Sequence, residues 1–130
     1  ELVSGGIGRP DIFKNGYYIK PTIFANMSNN HQIAQEEIFG PVLSIITYKN
    51  LSEAVSIAND SQYGLSSYIT SKDEGVAYKI AKQIKAGQTI INRISRGSVP
   101  APFGGFKMSG NGREHGVFGL EEYLEIKAII

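Results

Sequence analysis

Cysteine is absent from the 130-residue sequence, so the chain has no disulfide framework and no thiolate of its own. Any thiol chemistry must therefore come from residues outside it. An excess of one charge is missing too, because 13 basic and 12 acidic residues leave a formal net charge of +1 and the lysines are not clustered. Without a basic stripe to meet a phosphate backbone, nucleic acid is not an expected partner.

Long hydrophobic runs are also lacking. No apolar stretch approaches the roughly 18 residues that span a bilayer, and the residues after Glu1 do not have the order of a signal peptide. A soluble, cytoplasmic protein without a membrane partner is expected. Because the first residue is not Met, the chain is expected to be a processed product or a truncated piece of a longer polypeptide, and we prefer the second explanation. The two histidines, His31 and His115, are far apart in a chain without cysteine, so no metal site is predicted.

Strand patterns recur along the first 92 residues. Aromatic and β-branched residues predict a strand over residues 18–24, with Pro21 at its edge or end. An unbroken apolar run predicts a central strand over residues 42–48, covered on both faces. Two shorter β-prone runs predict strands over residues 65–70 and 88–92.

Helix patterns fill the gaps between these strands. Asn50 and Glu53 have the spacing of a capping box and precede apolar residues at helical intervals, and Ser71 and Glu74 repeat this arrangement. Gly87 is placed to end the second helix in the left-handed conformation. Strands that alternate with helices over short connections predict an α/β fold with a mainly parallel sheet and flanking helices.

The composition changes after residue 92, because seven of the 15 glycines fall between Gly97 and Gly119. Loops are expected here, followed by a short helix over residues 119–124 and a final strand over residues 125–130. The glycines do not form a dinucleotide fingerprint, since Gly-x-Gly-x-x-Gly is absent, or a P-loop, since its Gly-Lys-Ser/Thr ending is absent. A structural loop at the mouth of a strand is predicted instead.

Residues 36–41, Glu-Glu-Ile-Phe-Gly-Pro, are the first candidate site, because ligands of open α/β sheets bind at strand ends. A carboxylate suits a pair of sugar hydroxyls, and an aromatic ring can pack against a flat heterocycle. In the alternative interpretation, Glu36 and Glu37 are solvated acids and Phe39 is a core residue.

An ordered set of motifs runs through nearly the whole chain, from about Gly5 to the last strand. In this order and spacing the motifs resemble the aldehyde dehydrogenase superfamily. They are Pro21-Thr22, Glu36-Glu37-Ile38-Phe39-Gly40-Pro41-Val42, Ala58-Asn59, Tyr63-Gly64-Leu65, Ala86-Gly87, Asn92, Pro102-Phe103-Gly104-Gly105, Lys107, Ser109-Gly110 and Gly112-Arg113-Glu114.

The resemblance implies a subunit with a Rossmann-like NAD(P) domain, a catalytic α/β domain and a small oligomerisation arm. Residues 1–122 would then be part of the catalytic domain, and residues 123–130 a C-terminal strand that pairs with a neighbouring subunit of a homodimer or homotetramer. The cofactor implied is NAD or NADP. The resemblance assigns Glu37 to the nicotinamide ribose hydroxyls and Phe39 to the nicotinamide side.

The same resemblance locates an aldehyde pocket after the last predicted strand. Asn92 and Phe103 would lie near this pocket, and Arg93 and Arg96 would border its mouth. Because arginine can hold a carboxylate with two hydrogen bonds, the pair raises the hypothesis of an acidic semialdehyde substrate. In the alternative interpretation both arginines are solvated loop charges.

The activity implied is that of an NAD(P)-dependent aldehyde dehydrogenase, an oxidoreductase that converts an aldehyde to a carboxylic acid. In the family a cysteine thiolate attacks the aldehyde, hydride leaves for NAD(P)+, and a glutamate activates the water that hydrolyses the thioester. These residues precede the region covered here, so no catalytic residue is assigned and the chain is expected to be inactive on its own. The alternatives are a non-catalytic homologue with a binding or assembly role and an unrelated small α/β module.

Overall fold

A computed structural model describes residues 1–94 and 99–130 in two compact units, Glu1–Glu53 and Ala54–Ile130. The first unit contains a three-stranded sheet in the order β1-β2-β3, in which β2 pairs antiparallel with β1 and parallel with β3. Its elements are β1 (Leu2–Ser4), β2 (Thr22–Phe24), α1 (Gln32–Gln35) and β3 (Val42–Ser44).

Both predicted strands of this unit exist but are shorter than expected. β2 begins directly after Pro21, because proline has no N–H to donate to a neighbouring strand. The prediction that residues 42–48 form a central strand covered on both faces is wrong for the described chain. β3 lies at the edge of its sheet, and Leu43 and Ile45 are 54% and 42% exposed.

The second unit is built on a strand, helix and strand in succession. β4 and β5 pair in parallel, with Ser66 opposite Gln88 and Ile69 opposite Ile91, and α3 packs on β5. The elements that follow the first unit's sheet are α2 (Leu51–Asn59), which starts at the end of the first unit, β4 (Ser66–Ile69), α3 (Glu74–Ala81), β5 (Gln88–Ile91), a 3-10 helix (Lys107–Ser109) and α4 (Gly116–Glu121). The predicted α/β class with parallel pairing is confirmed, although the pairing is divided between two sheets.

The two predicted helix starts have different outcomes. Asn50 Oδ1 accepts a hydrogen bond of 2.9 Å from the Glu53 N–H, which is the first bond of the predicted capping box. The Glu53 carboxylate bonds back to the Lys49 N–H, one residue before the N–H that a capping box uses. At α3 the N-cap is Asp73, not the predicted Ser71, because the Asp73 carboxylate accepts from the Val76 N–H at 3.0 Å.

Close contact, and not backbone conformation, requires glycine at position 87, and the predicted left-handed φ of Gly87 is wrong. A Cβ atom on Gly87 would lie 1.6 Å from the Gly104 carbonyl oxygen. The backbone of the turn ahead of β5 therefore packs directly against the glycine-rich loop, and only glycine leaves room for this approach.

The C-terminal region also differs from expectation. α4 begins at Gly116, three residues before the predicted short helix. Residues 125–130 form no strand with any part of the described chain, and their side chains are exposed. Their pairing with a second subunit, and the domain boundary at residue 122, stay predictions.

The chain exposes much more surface than a folded monomer of its mass. Its accessible surface is 10499 Å² for 14.2 kDa, against about 6800 Å² expected from the size scaling of monomeric proteins. Among the described residues, Ala77 and Ile90 are the buried apolar side chains. Much of the apolar surface is thus available to other polypeptide. None of the helices in the described ranges has the length and apolar character needed to cross a membrane.

Candidate functional site

The first candidate region is the Glu37 segment, residues 36–41, which follows α1. The amide of Gln32 donates to both carboxylate oxygens of Glu36 at 3.0 Å, so this acid is engaged by its own helix. Pro41 accepts a hydrogen bond of 2.9 Å from the Thr22 N–H, which ties the end of the segment to β2. The segment therefore has fixed ends.

Between these ends, Glu37 and Phe39 project away from the unit that carries them. Phe39 is 97% exposed, which contradicts the interpretation of this ring as a core residue of the described chain. Glu37 is exposed, and no described residue donates a hydrogen bond to its carboxylate. A carboxylate with both oxygens available and an adjacent open ring fit a ribose diol and a flat heterocycle chemically.

The second candidate region is the Phe103 loop, residues 102–109. Phe103 and Glu114 form an isolated antiparallel bridge, with N–H to carbonyl distances of 2.8 Å and 2.6 Å. The Phe103 ring is half-buried and its centroid lies 6.3 Å from that of His115. The predicted pocket wall is therefore held by backbone pairing.

Phe103 lines an open cleft of about 350 Å³ within the second unit. Two charged side chains of this cleft form hydrogen bonds within it: Arg113 donates to the Gly105 carbonyl at 3.1 Å, and Glu122 accepts from the Arg113 N–H at 3.3 Å. The Arg113 guanidinium also lies 5.3 Å from the Phe106 ring centroid. Other lining residues include Leu65, Ser109, Asn111 and Tyr123.

Asn92 follows β5 and has a different environment from the one the sequence suggested. Its side-chain amide accepts from the Ser71 N–H and donates to the Ser71 carbonyl, each at 2.8 Å. Its backbone φ is 53°, a left-handed conformation that asparagine tolerates better than most residues. Asn92 thus joins the end of β5 to the turn ahead of α3, and its amide is already occupied by protein groups.

Arg93 is exposed and borders a second cleft of the same unit, together with Asn92, Glu74 and Tyr78. Phe103 is not among the residues that line this second cleft. The described residues therefore do not bring the predicted pocket residues into one cleft. Arg96 lies outside the described residues, so the structure describes only Arg93 of the predicted arginine pair.

Sequence reasoning missed the residues that fasten the Phe103 loop. Lys107 and Ser109 both bind the turn between α2 and β4, and the Gly64 carbonyl of that turn accepts from the Gly87 and Phe106 N–H groups at 3.0 Å and 2.8 Å. These contacts join residues more than 20 positions apart, so no local sequence pattern predicts them. In the described ranges, no three His, Asp or Glu side chains gather as a metal site would require.

Comparison with known proteins places these features in a family. The model of the aldehyde dehydrogenase family matches residues 1–129. A putative aldehyde dehydrogenase of Staphylococcus aureus strain USA300 is 52% identical over 129 residues, which are 99% of this chain and 27% of the relative. The chain therefore spans about a quarter of the length of the curated relatives it matches.

Solved structures agree. A mutant of aldehyde dehydrogenase C from Pseudomonas syringae, complexed with NAD+ and octanal, matches with a TM-score of 0.95 and 50% identity over 99% of this chain and 26% of that chain. The Mycobacterium tuberculosis aldehyde dehydrogenase complexed with NAD+ matches with a TM-score of 0.89 and 48% identity over 94% of this chain and 25% of that chain. Because the family model covers almost every residue and the fold agrees at high identity, the chain belongs to the aldehyde dehydrogenase family.

Proposed function

We propose that this chain supplies a cofactor contact and a pocket wall to an NAD+-dependent enzyme that oxidises an aldehyde to a carboxylic acid. The observation that carries the proposal is the TM-score of 0.95 to an aldehyde dehydrogenase complexed with NAD+ and octanal. Glu37 and Phe39 would hold NAD+ in such an enzyme, and the cofactor would supply the hydride acceptor for the oxidation. The attacking thiol belongs to another part of the polypeptide, because this chain has no cysteine.

Glu37 and Phe39 are the proposed cofactor contacts. The available oxygens of the Glu37 carboxylate would accept hydrogen bonds from the two hydroxyls of the nicotinamide ribose. The open face of the Phe39 ring would pack beside the nicotinamide and limit its rotation. Their exposure in a chain that spans a quarter of its relatives supports this role, since a ligand held against other polypeptide needs such open side chains.

Phe103 is the proposed wall of the aldehyde pocket, and we propose a neutral, apolar aldehyde as the substrate. Octanal in a similar protein supports this class, as does the aromatic character of the wall. The acidic semialdehyde hypothesis has less support, because the cleft beside Arg93 also carries the Glu74 side chain. In this proposal Asn92 shapes the pocket mouth through its bonds to Ser71 and does not bind substrate itself.

We also propose that the full protein is a homo-oligomer assembled through residues 125–130. Ile126 and Ile130 are fully exposed, and the backbone of this stretch is available for strand pairing with a second subunit. An exposed apolar strand edge is a common template for such pairing.

The proposal is tested with the full-length polypeptide read from the gene that encodes this chain. Purified protein is mixed with NAD+ and octanal, and NADH is followed by its absorbance, with a reaction lacking octanal as the control. Aldehyde-dependent NADH formation that stops when the upstream cysteine is changed to serine is the expected result. A full-length polypeptide without that cysteine, or without aldehyde-dependent NADH formation, would overturn the proposal in favour of a non-catalytic homologue.

A further inference from the structure

We infer that Lys107 is a positioning residue of the aldehyde pocket: its ammonium group anchors the Phe103 loop to the end of α2. This inference rests on the proposed function for its link to the substrate. The anchoring itself is a matter of geometry and can be measured without any activity.

The Lys107 side chain reaches across to the end of α2 and to the turn that follows it. Its Nζ atom donates to the Asn59 carbonyl at 2.8 Å and to the Ser61 carbonyl at 2.7 Å. Asn59 is the last residue of α2, where unpaired carbonyl groups concentrate the negative end of the helix dipole. The Lys107 ammonium thus supplies a donor to the terminal carbonyl of the helix and to the Ser61 carbonyl of the turn.

Three further hydrogen bonds join the same two stretches of chain. Ser109 Oγ accepts from the Gly64 N–H at 2.9 Å. The Phe106 N–H donates to the Gly64 carbonyl at 2.8 Å, and the Met108 N–H donates to the Gln62 carbonyl at 3.0 Å. Lys107 is therefore the central member of a row of contacts that sets how the Phe103 loop lies along the turn before β4.

The backbone of Lys107 shows that its side chain matters at this position. Its φ is 55°, in the left-handed region that is unfavourable for residues other than glycine, asparagine and aspartate. Glycine would adopt this φ without strain, but glycine has no side chain to reach the end of α2. Strain that persists in a folded protein is held in place by surrounding contacts, and the two carbonyl bonds of the ammonium are such contacts.

Tight packing links Lys107 to Phe103, four residues earlier. A Cβ atom on Gly105 would lie 2.5 Å from atoms of Ser109, and one on Gly104 would lie 2.6 Å from the Gly112 carbonyl oxygen. The backbone between Phe103 and Lys107 is thus packed directly against Ser109 and Gly112. A shift of residues 106–109 must therefore move Gly104 and Gly105, and with them the Phe103 ring.

Lys107 does not itself meet the substrate in this account. It is not among the residues that line the cleft beside Phe103, and its ammonium is engaged by the two carbonyls. Its effect on the reaction passes through the position of the wall. Such an effect depends on the size of the aldehyde, whereas a general loss of folded enzyme does not.

The test compares Lys107→Met with Lys72→Met in the full-length protein, since Lys72 is an exposed lysine of the same unit. Initial rates are measured with acetaldehyde, butanal and octanal at saturating NAD+. A displaced wall should raise the KM for octanal about tenfold and the KM for acetaldehyde less than about twofold. The KM for NAD+ should not change, Lys107→Arg should recover most of the octanal KM, and Lys72→Met should match the parent protein.

Equal loss of kcat for all three aldehydes with unchanged KM values would overturn the inference, because that result is explained by a smaller fraction of folded enzyme. If Lys107→Met does not fold, Lys107→Gly removes both the anchor and the backbone strain, and the same dependence on aldehyde size is required of it. Hydrogen exchange at the Phe106 and Met108 amides supplies a readout without activity, and it should become faster in either variant. A parent protein with no aldehyde oxidation contradicts the proposed function alone, whereas unchanged exchange contradicts the anchor.

Discussion

The Glu37 segment and the Phe103 loop hold their candidate site residues in opposite ways. In the segment, the ends are tied and the two proposed contact residues are left open to solvent. In the loop, backbone pairing, a lysine and a serine fix almost every residue around Phe103. A side chain that must meet a diffusible cofactor needs open acceptors, whereas a pocket wall needs a fixed position. The difference fits two separate roles.

The contrast also indicates what the rest of the polypeptide must provide. The Phe103 loop is supported by other residues of this chain, so contacts within the chain set its shape. The Glu37 segment leaves an aromatic ring and an acid uncovered, and the exposed surface of the chain exceeds that of a monomer of its mass. Cofactor affinity should therefore depend strongly on residues outside these 130.

The largest expected effect comes from filling the space that the loop leaves at Gly87. In Gly87→Ala, the new Cβ would collide with the Gly104 carbonyl oxygen, and we expect a loss of more than about 3 kcal/mol in the free energy of unfolding. Thermal and urea unfolding of the full-length protein measure it. Gly75→Ala is the control, because that site is exposed at the start of α3 and a Cβ there would meet the flexible Asp73 carboxylate at 3.2 Å, not backbone. It should change stability by less than about 1 kcal/mol. Equal losses of unfolding free energy in the two variants would contradict tight packing of the Phe103 loop against Gly87.

Asn92 tests whether hydrogen bonds also fix a candidate site residue outside the Phe103 loop. Asn92→Ala removes both bonds to Ser71 and forces alanine into a left-handed φ, so a loss of about 2 kcal/mol in unfolding free energy is expected. Asn92→Gly removes the bonds but tolerates the backbone conformation, and it should lose about 1 kcal/mol less. Denaturation with urea separates the two. A variant that keeps full stability but loses octanal binding would instead make Asn92 a substrate contact.

Glu37→Gln tests whether the exposed Glu37 segment contacts the cofactor. The amide keeps the size of the side chain but loses the charge and one acceptor, so the KM for NAD+ should rise about tenfold while the KM for octanal is unchanged. Glu36→Gln provides a matched control, because the Glu36 carboxylate is engaged by Gln32. Steady-state kinetics on the full-length enzyme measure both. A larger effect at Glu36 than at Glu37 would reverse the assignment.

The smallest expected effect is at Ser109. Ser109→Ala removes the acceptor for the Gly64 N–H and should lower the unfolding free energy by about 1 kcal/mol. Ser66→Ala, at an exposed position of β4, should stay within about 0.5 kcal/mol of the parent protein. Thermal midpoints are sufficient for this comparison. If the two serines behave alike, the row of contacts along the loop contributes less than its geometry suggests.

Local sequence patterns predicted the parts of this structure that local contacts determine. The cap of α2 follows from Asn50 and Glu53, which are three residues apart and contact the first helical turn. The parallel pairing follows from strands and helices in alternation. The cap of α3 was predicted wrongly because Ser71 and Asp73 both offer a capping side chain, and only the three-dimensional structure selects between them.

Long-range contacts were the features that the sequence did not predict. Gly87 is required by the approach of Gly104, which a pattern around residue 87 cannot show. The edge position of β3 depends on which strands lie beside it. Likewise, the sequence resemblance marked Glu37, Phe39 and Phe103 as candidates, but their open or fixed environments, and the part played by Lys107, depend on tertiary contacts.

Hydrogen exchange of the full-length protein, with and without NAD+, separates an open cofactor contact from a fixed pocket wall. We predict that saturating NAD+ slows exchange in the Glu37 segment. We also predict that the Phe103 loop exchanges slowly already and changes little, because its hydrogen bonds are made within this chain. Slow exchange in the Glu37 segment without NAD+, together with protection of the Phe103 loop only after NAD+ is added, would show that the segment is the fixed region and the loop the open one.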